Sequence, residues 1–348
     1  MNGRRRLWLA SGLAVLLVIG VVLAVVLTRS GQTTAGPAPS SVSASATATP
    51  SATKKASTPP PAPAAPAPPT IANLPAAPMN ILVIGSDSRE NAHQEADQTA
   101  TTGVASDQRS DCLMLIHVPA DRHLVYGISI MRDTWINVPG YGTTKVNAGL
   151  GLGGIDLTTR TVESMFGIHI DHTVMLDFHG FKLLTDGLGG IDVNVPQDFT
   201  STIETQHHFT AGVNHLDGQA ALEFVRERHA FADGDYTRVR DQQIFMRALL
   251  SKLSTSLKEP ATVLALVNFA ANDLTVDGGF NPVSVAILAY GMRTIDPAAS
   301  VFFTLPNAGP GTSSDGQSII IPDYGAIAAV GAAVRDDTLA QYAAAHGF

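Results

Sequence analysis

The chain has 348 residues and carries 22 Lys+Arg against 30 Asp+Glu, a formal net charge of -8. That sign excludes a general nucleic-acid binder, which needs a basic surface. A single cysteine, Cys112, excludes an internal disulfide and any cysteine-built zinc cage, and in the apolar run CLMLIHV it reads as a buried, inert thiol.

In chain order, MNGRRR (1–6) puts three arginines ahead of the uncharged run LWLASGLAVLLVIGVVLAVVLT (7–28). That run is long enough to cross a bilayer as a helix, which takes roughly 20 residues. The basic flank predicts a cytoplasmic N-terminus and an extracytoplasmic remainder. A cleaved signal peptide is the alternative, but its apolar core is usually shorter than this one. The expectation is a single-pass protein of the cell membrane. Residues 29–78 are rich in Ala, Ser, Thr and Pro and lack the apolar surface to fold, so they read as a disordered linker. One folded extracytoplasmic domain is expected over 79–348.

Within it, MNILVIG (79–85), DCLMLIHV (111–118) and HLVYGISIM (123–131) are short apolar runs that predict strands buried on both faces. LTTRTVESMFG predicts a helix stopped at Gly167, HTVMLDF a strand, FKLLTDGLGG a helix with a glycine stop, and IDVNV a strand ended by Pro196. After Asp217 as N-cap, GQAALEFV predicts a helix, and a longer one is expected from about Tyr236 to Leu257. ATVLALVNFAAN, VSVAILAYGMRT and YGAIAAVGAAVRDDTLAQYAAA predict further helices, and SVFFTL a late strand. Strands alternating with helices imply an α/β sandwich.

Charge gathers at strand ends, where α/β sheets bind ligands. GSDSR (85–89) follows the first strand and contributes Asp87 and Arg89, RSD (109–111) opens the second, and Arg132 and Asp133 follow the third. The densest cluster is FVRERHAFADGDYTRVRDQQ (224–243). In an extended VRER, Arg226 and Arg228 point to one face. On the helix that follows, Asp235, Arg238 and Gln242 share a face, while Arg240 projects into solvent.

One account of these arginines is surface ion pairing with Glu223, Glu227, Asp233, Asp235 and Asp241. Against it, Arg109 and Arg132 stand at the ends of apolar strands, where an unpaired charge is costly. The other account is a site for a small anion, since the guanidinium fork suits phosphate and keeps its charge when partly buried. Asp87 and Asp111 beside it would suit Mg²⁺, which binds through one or two carboxylates plus substrate phosphates, with Mn²⁺ the alternative ion. Metal and arginines together are equipment for phosphoryl transfer.

Other motifs carry less. GLGLGG (149–154) follows no clear strand and reads as a helix-start loop rather than a dinucleotide fingerprint. Ser86 and Ser88 lack a G-x-S-x-G elbow. His207 and His208 read as an exposed loop, and Trp135 and Phe231 as packing or rim residues.

Seven segments in order, NILVIGSDSR, RSDCLMLIHV, SIMRDTWINVPG, KVNAG, DGLGGIDVNVP, LDGQAALEFVRERH and GDYTRVRDQQ, resemble the LytR-CpsA-Psr family of envelope proteins from about Asn80 to Leu253. The chain departs from that family at Asp241, where many members carry a basic residue before the glutamine pair. The resemblance implies an α/β fold with a central mixed sheet flanked by helices, and an apolar tunnel for a prenyl chain. It implies a phosphotransferase that moves a glycopolymer from a polyprenyl pyrophosphate carrier to peptidoglycan through a phosphodiester. Arg109, Arg132, Arg226, Arg228, Arg238 and Gln242 match family positions that hold the pyrophosphate, and Asp111 and Asp87 its Mg²⁺ ligands. Arg132, Asp111 and Asp133 are the catalytic candidates, with Asp133 either the general base or the group that orients Arg132. Arg89, Lys145 and Asp235 are secondary candidates. Two rival readings are a polyprenyl-phosphate-binding scaffold and a pyrophosphatase in which water replaces the acceptor.

Overall fold

Apolar side chains on both faces of the central strands set the architecture. The computed structural model describes residues 77–87, 108–256, 274–276 and 295–348, with single positions at 262, 264, 266 and 269. All belong to one unit, Thr70–Phe348. The expected anchor at 7–28, the linker up to residue 76, Arg89, the helix expected in VSVAILAYGMRT and most of the one expected in ATVLALVNFAAN lie outside the described residues. No helix among the described residues is long and apolar enough to cross a membrane.

The elements run β1 (Met79–Ser86), β2 (Ser110–Val118), β3 (Tyr126–Ile130), β4 (Trp135–Val138), β5 (Gly142–Lys145), α1 (Ala148–Phe166), β6 (His172–Leu176) and α2 (Phe178–Gly187). Then come β7 (Ile191–Val195), β8 (Phe199–Thr200), β9 (His208–Phe209), β10 (Gly212–Leu216), α3 (Gly218–Arg226) and α4 (Asp235–Ser256). The chain closes with β11 (Thr275–Val276), β12 (Val301–Thr304), β13 (Asn307–Thr312), β14 (Ser318–Pro322), α5 (Tyr324–Arg335) and α6 (Leu339–His346). Six strands form one sheet in the order β11-β6-β1-β2-β3-β12. It is mixed, because β1 pairs with β6 and β3 with β12 in parallel while β1–β2, β2–β3 and β6–β11 are antiparallel.

One face of the sheet, with Leu82, Ile84, Leu113, Leu115, Ile128 and Ile130, packs on α1, α5 and α6 through Val162, Phe166, Val330, Val334 and Tyr342. The other face, with Met79, Ile81, Met114 and Ile116, packs on Met246 and Leu250 of α4. Alternation along each strand thus feeds two cores, and the result is three layers. A further core joins β7 and β10 to α2, α3 and α4 around Ile191, Val193, Phe209, Phe224 and Phe245. It fixes α3 and α4, and with them the arginine-rich segment, against the sheet.

Several sequence expectations are met locally. Asp217 caps α3 by accepting from Ala220 N at 2.8 Å, and Gly167 ends α1 in the left-handed conformation at φ 63°. The long helix falls at Asp235–Ser256. The GLGLGG segment differs from its expected loop: it already turns helically inside α1, and the break comes at Gly153 and Gly154, where Gly154 takes φ 67°. A side chain there would be strained, so the glycine permits the kink.

α5 crosses the C-terminal end of α1 at backbone distance. A Cβ on Gly331 would stand 2.1 Å from the carbonyl oxygen of Phe166. Arg335 caps the same end, donating to Phe166 O at 3.0 Å and Gly167 O at 2.9 Å. Gly331→Ala is therefore expected to cost about 2–3 kcal/mol by forcing the two helices apart. A melting temperature lowered by about 5–10 °C would show it, and an unchanged melting curve would mean the helices do not approach so closely.

Candidate active site

The antiparallel pairing of β1 with β2 and of β2 with β3 brings the end of β1, the start of β2 and the end of β3 to one edge of the sheet. Asp87, Arg109, Asp111, Arg132 and Asp133 follow from that register. Asp87 and Arg109 are joined through the backbone: Arg109 N donates to Asp87 Oδ1 at 2.9 Å, and Asp87 N to Arg109 O at 3.1 Å. The Arg109 residue itself is exposed. Burial pushes the Asp87 carboxyl above its ordinary range, and the negative charge of Asp111 adds to the shift.

Arg132 is the centre of the cluster. It donates to Asp111 Oδ1, and its Nε lies 3.5 Å from Asp235 and 3.8 Å from Asp133. Burial works against its charge, but Asp111, Asp235 and Asp133 together raise its pKa. Lys145, from β5, stands 3.2 Å from Asp133. The hairpin β13–β14 braces this corner from the C-terminal part of the chain: Ile320 N donates to Asp133 O at 2.9 Å, and Ile320 packs with Met131 and Val239.

From the other side α4 supplies Asp235 and Arg238. Asp235 lies 3.4 Å from Arg238 and 3.7 Å from Arg228, so three arginines converge on one carboxylate. Arg238 is buried, and its pKa is lowered first by desolvation and then by the neighbouring charges of Arg132 and Arg228. Arg132 Nε, Arg238 Nε and Asp235 Oδ1 are buried with no hydrogen-bond partner. Arg132 Nε already faces the carboxylates of Asp235 and Asp133 at ion-pair distance, whereas Arg238 Nε is a buried donor open to an acceptor, and leaving such a donor unsatisfied costs about 1–3 kcal/mol.

The structure therefore brings together Arg132, Arg228, Arg238, Asp111, Asp133, Asp235 and Lys145, of which Asp235 and Lys145 rank only as secondary in the sequence. It separates Arg226 from Arg228, contrary to the extended reading. Helix α3 continues through Arg226, and only Glu227 turns extended. Arg226 pairs with Glu204 at 2.5 Å and lies 4.0 Å over the Phe178 ring. Gln242 donates to Val225 O at 3.2 Å, holding α4 to the end of α3. Arg240 points outward to Asp233 as expected.

The ion-pair account holds for Asp233 and Asp235 and fails for the other three carboxylates, Asp241 being buried without an ion pair among the described residues. Glu223 and Glu227 are fully buried and accept backbone N–H groups instead. Sequence reasoning passed over Glu204, an exposed residue 22 positions before Arg226, and took Glu227 for a surface ion-pair partner, because its burial was not visible along the chain. Cys112 is inert as read, its thiol pushed up to about 12 by desolvation.

Asp87 and Asp111, at the β1 and β2 ends, are the carboxylates that could hold a divalent cation, each having one oxygen already engaged, by Arg109 N and by Arg132. Asp111 adds to the cost of ionising Asp87, and a cation beside that carboxylate would relieve it. No group of three or more potential ligands occurs among the described residues, so substrate oxygens and water would complete the shell.

Fold and site together define a mixed-sheet α/β protein with a cluster of arginines and carboxylates at the strand ends. Residues 41–333 match the model of the LytR_cpsA_psr family, and the chain belongs to that family. It is 34% identical over 220 residues to the probable cell wall biosynthesis protein LcpB of Corynebacterium glutamicum, covering 62% of this chain and 52% of that one. It is 33% identical over 208 residues to the polyisoprenyl-teichoic acid–peptidoglycan teichoic acid transferase TagU of Bacillus cereus, covering 59% and 63%. The chain thus spans only about half to two thirds of the length of these curated relatives. The crystal structure of TagV from B. subtilis shares the fold, with a TM-score of 0.62 at 23% identity over 76% of this chain and 98% of that one.

Proposed function

We propose that this chain is a membrane-anchored phosphotransferase that moves a glycopolymer from a polyprenyl pyrophosphate carrier to peptidoglycan, leaving a phosphodiester. The observation that carries it is the convergence of Arg132, Arg228 and Arg238 on Asp235, with Arg132 Nε and Arg238 Nε buried and making no hydrogen bond. The names of its relatives, a teichoic acid transferase and a cell wall biosynthesis protein, agree with that chemistry.

In this reading the acceptor hydroxyl attacks the phosphorus that bears the glycan, the bridging P–O bond breaks to release polyprenyl phosphate, and the hydroxyl proton leaves with that departing phosphate. Arg132 and Arg238 hold the pyrophosphate oxygens, on which charge grows as the bond breaks, and they gain strength as it does. Arg228, the more exposed of the three, grips the outer part of the donor. Asp133, between Lys145 and Arg132, orients them; a loose phosphoryl transition state asks little of a base. Asp87 and Asp111 would hold Mg²⁺, which when bound neutralises charge on the phosphates. The segment 7–28 would anchor the chain, with 1–6 cytoplasmic, 29–78 as the tether, and 79–348 outside the membrane at its substrates.

The test is release of polyprenyl phosphate by the full chain in detergent, from a glycan-linked polyprenyl pyrophosphate, with and without a peptidoglycan fragment. Transfer should need both acceptor and Mg²⁺, and chelation with EDTA is expected to lower the rate about 100-fold, the several kcal/mol that metal ions supply. Phosphate release indifferent to acceptor would make the protein a pyrophosphatase. Tight lipid binding with no product would make it a scaffold.

A further inference from the structure

Between the two separated arginines stands Glu227, and its surroundings give it a task. It is fully buried. Its Oε1 accepts from the backbone N–H of Arg228 at 2.7 Å, His229 at 2.6 Å and Ala230 at 3.0 Å. Its Oε2 accepts from Thr202 N at 2.5 Å, and the Thr202 hydroxyl lies 3.0 Å from both oxygens. Burial works against this charge, but the backbone donors outweigh it and hold the carboxyl below the usual range.

A helix end needs no buried carboxylate to stop. This one does more, because it holds the turn 228–230 on one side and the segment 201–207 on the other. That second segment is held also by Glu223, through Thr205 N at 2.9 Å and His207 N at 3.1 Å, and it delivers Glu204 to Arg226. The direction of the chain at Glu227 thus decides that Arg226 goes to Glu204 while Arg228 goes to Asp235.

We propose that Glu227 is a positioning residue of the anion site: by holding the 228–230 turn it sets Arg228 where it can grip a pyrophosphate beside Arg238 and Arg132. The inference rests on the phosphotransferase reading above and adds to it which buried group aims the outermost arginine. Glu227 touches no substrate. It acts through Arg228 alone.

The test uses the full chain, inorganic pyrophosphate with Mg²⁺ as the probe, and amide exchange as a second readout. Glu227→Ala should speed exchange at 228–230 and at Thr202, and weaken pyrophosphate binding about tenfold, the scale of one charge-assisted contact. Glu227→Gln should restore both binding and slow exchange at 228–230, since its amide oxygen still serves those three N–H groups. At Thr202 exchange should stay fast, because the amide NH₂ faces a donor there. The decisive comparison is Arg228→Ala with and without Glu227→Ala: the double variant should bind no more weakly than Arg228→Ala. Additive losses would overturn the inference while leaving the functional reading intact, as would Glu227→Ala binding as tightly as wild type. Should Glu227→Ala not fold, Glu227→Gln carries the comparison: it should keep slow exchange at 228–230 together with wild-type binding, and binding lost while exchange at 228–230 stays slow would overturn the inference. A wild-type chain that does not bind pyrophosphate overturns the functional reading itself, and this inference with it.

Discussion

Replacing Arg132 with alanine is expected to slow polyprenyl phosphate release by about 10²–10³-fold, the cost of removing one preorganised donor to a transition-state anion. Arg132 donates to Asp111 and lies within ion-pair distance of Asp235 and Asp133, so its guanidinium joins the strand ends to helix α4. Its loss takes a charge from the phosphate and also leaves Asp111 and Asp235 without their shared cation. Arg132→Lys keeps the charge but not the planar fork, and cannot serve Asp111 and a phosphate at once, so an intermediate loss is expected. Rates measured on variants with matched melting curves separate the two effects. An Arg132→Ala chain that folds and transfers at the wild-type rate would remove this edge of the sheet from the chemistry.

Asp241→Asn is expected to stabilise the protein, and to do so only above acid pH. Asp241 is buried on α4, its Oδ2 has no hydrogen-bond partner, and desolvation raises its carboxyl from 3.8 to about 7. The folded state therefore holds this proton more tightly than the unfolded chain does. Below 3.8 the group costs nothing; stability is lost as pH rises through about 7, and above that the penalty is constant. A shift of that size corresponds to at most about 4 kcal/mol, so the asparagine variant should gain about 2–4 kcal/mol at pH 8 and close to none at pH 4. Thermal unfolding at the two pH values measures it. A gain equal at both would mean the carboxyl is not titrating in the fold.

Asp241 is the position where the chain departs from the expected family pattern, and its setting in the structure is unusual for a carboxylate. The position faces inward on α4, so a carboxylate there carries a desolvation cost. Arg240, which turns outward to Asp233, offsets that cost only in part.

Much of the framework was legible in the order of residues. Apolar runs marked β1, β2 and β3, Asp217 and Gly167 marked helix ends, and α4 runs over Asp235–Ser256, within a residue of the range its pattern predicts. These features depend on near neighbours along the chain: periodicity, caps and turn residues. The hairpins β4–β5 and β13–β14 escaped, because their short strands alternate weakly and their pairing partners are decided by the surrounding fold. Yet β14 braces Asp133, so part of the site's support comes from beyond the seven segments that carry the resemblance, although inside the 41–333 that the family model matches.

The sequence by itself determined that charge would gather at strand ends and on one helix, and that its arginines and carboxylates suited phosphate. Only the tertiary structure decided which of them meet. Arg226 and Arg228 are two residues apart, and a single turn at Glu227 sends one to Glu204 and the other to Asp235. Asp235, a secondary candidate on the page, became the carboxylate on which three arginines converge. The physical reason is that local propensity acts over one or two helical turns, whereas the partner of a buried charge is chosen by the global packing that removes water from it.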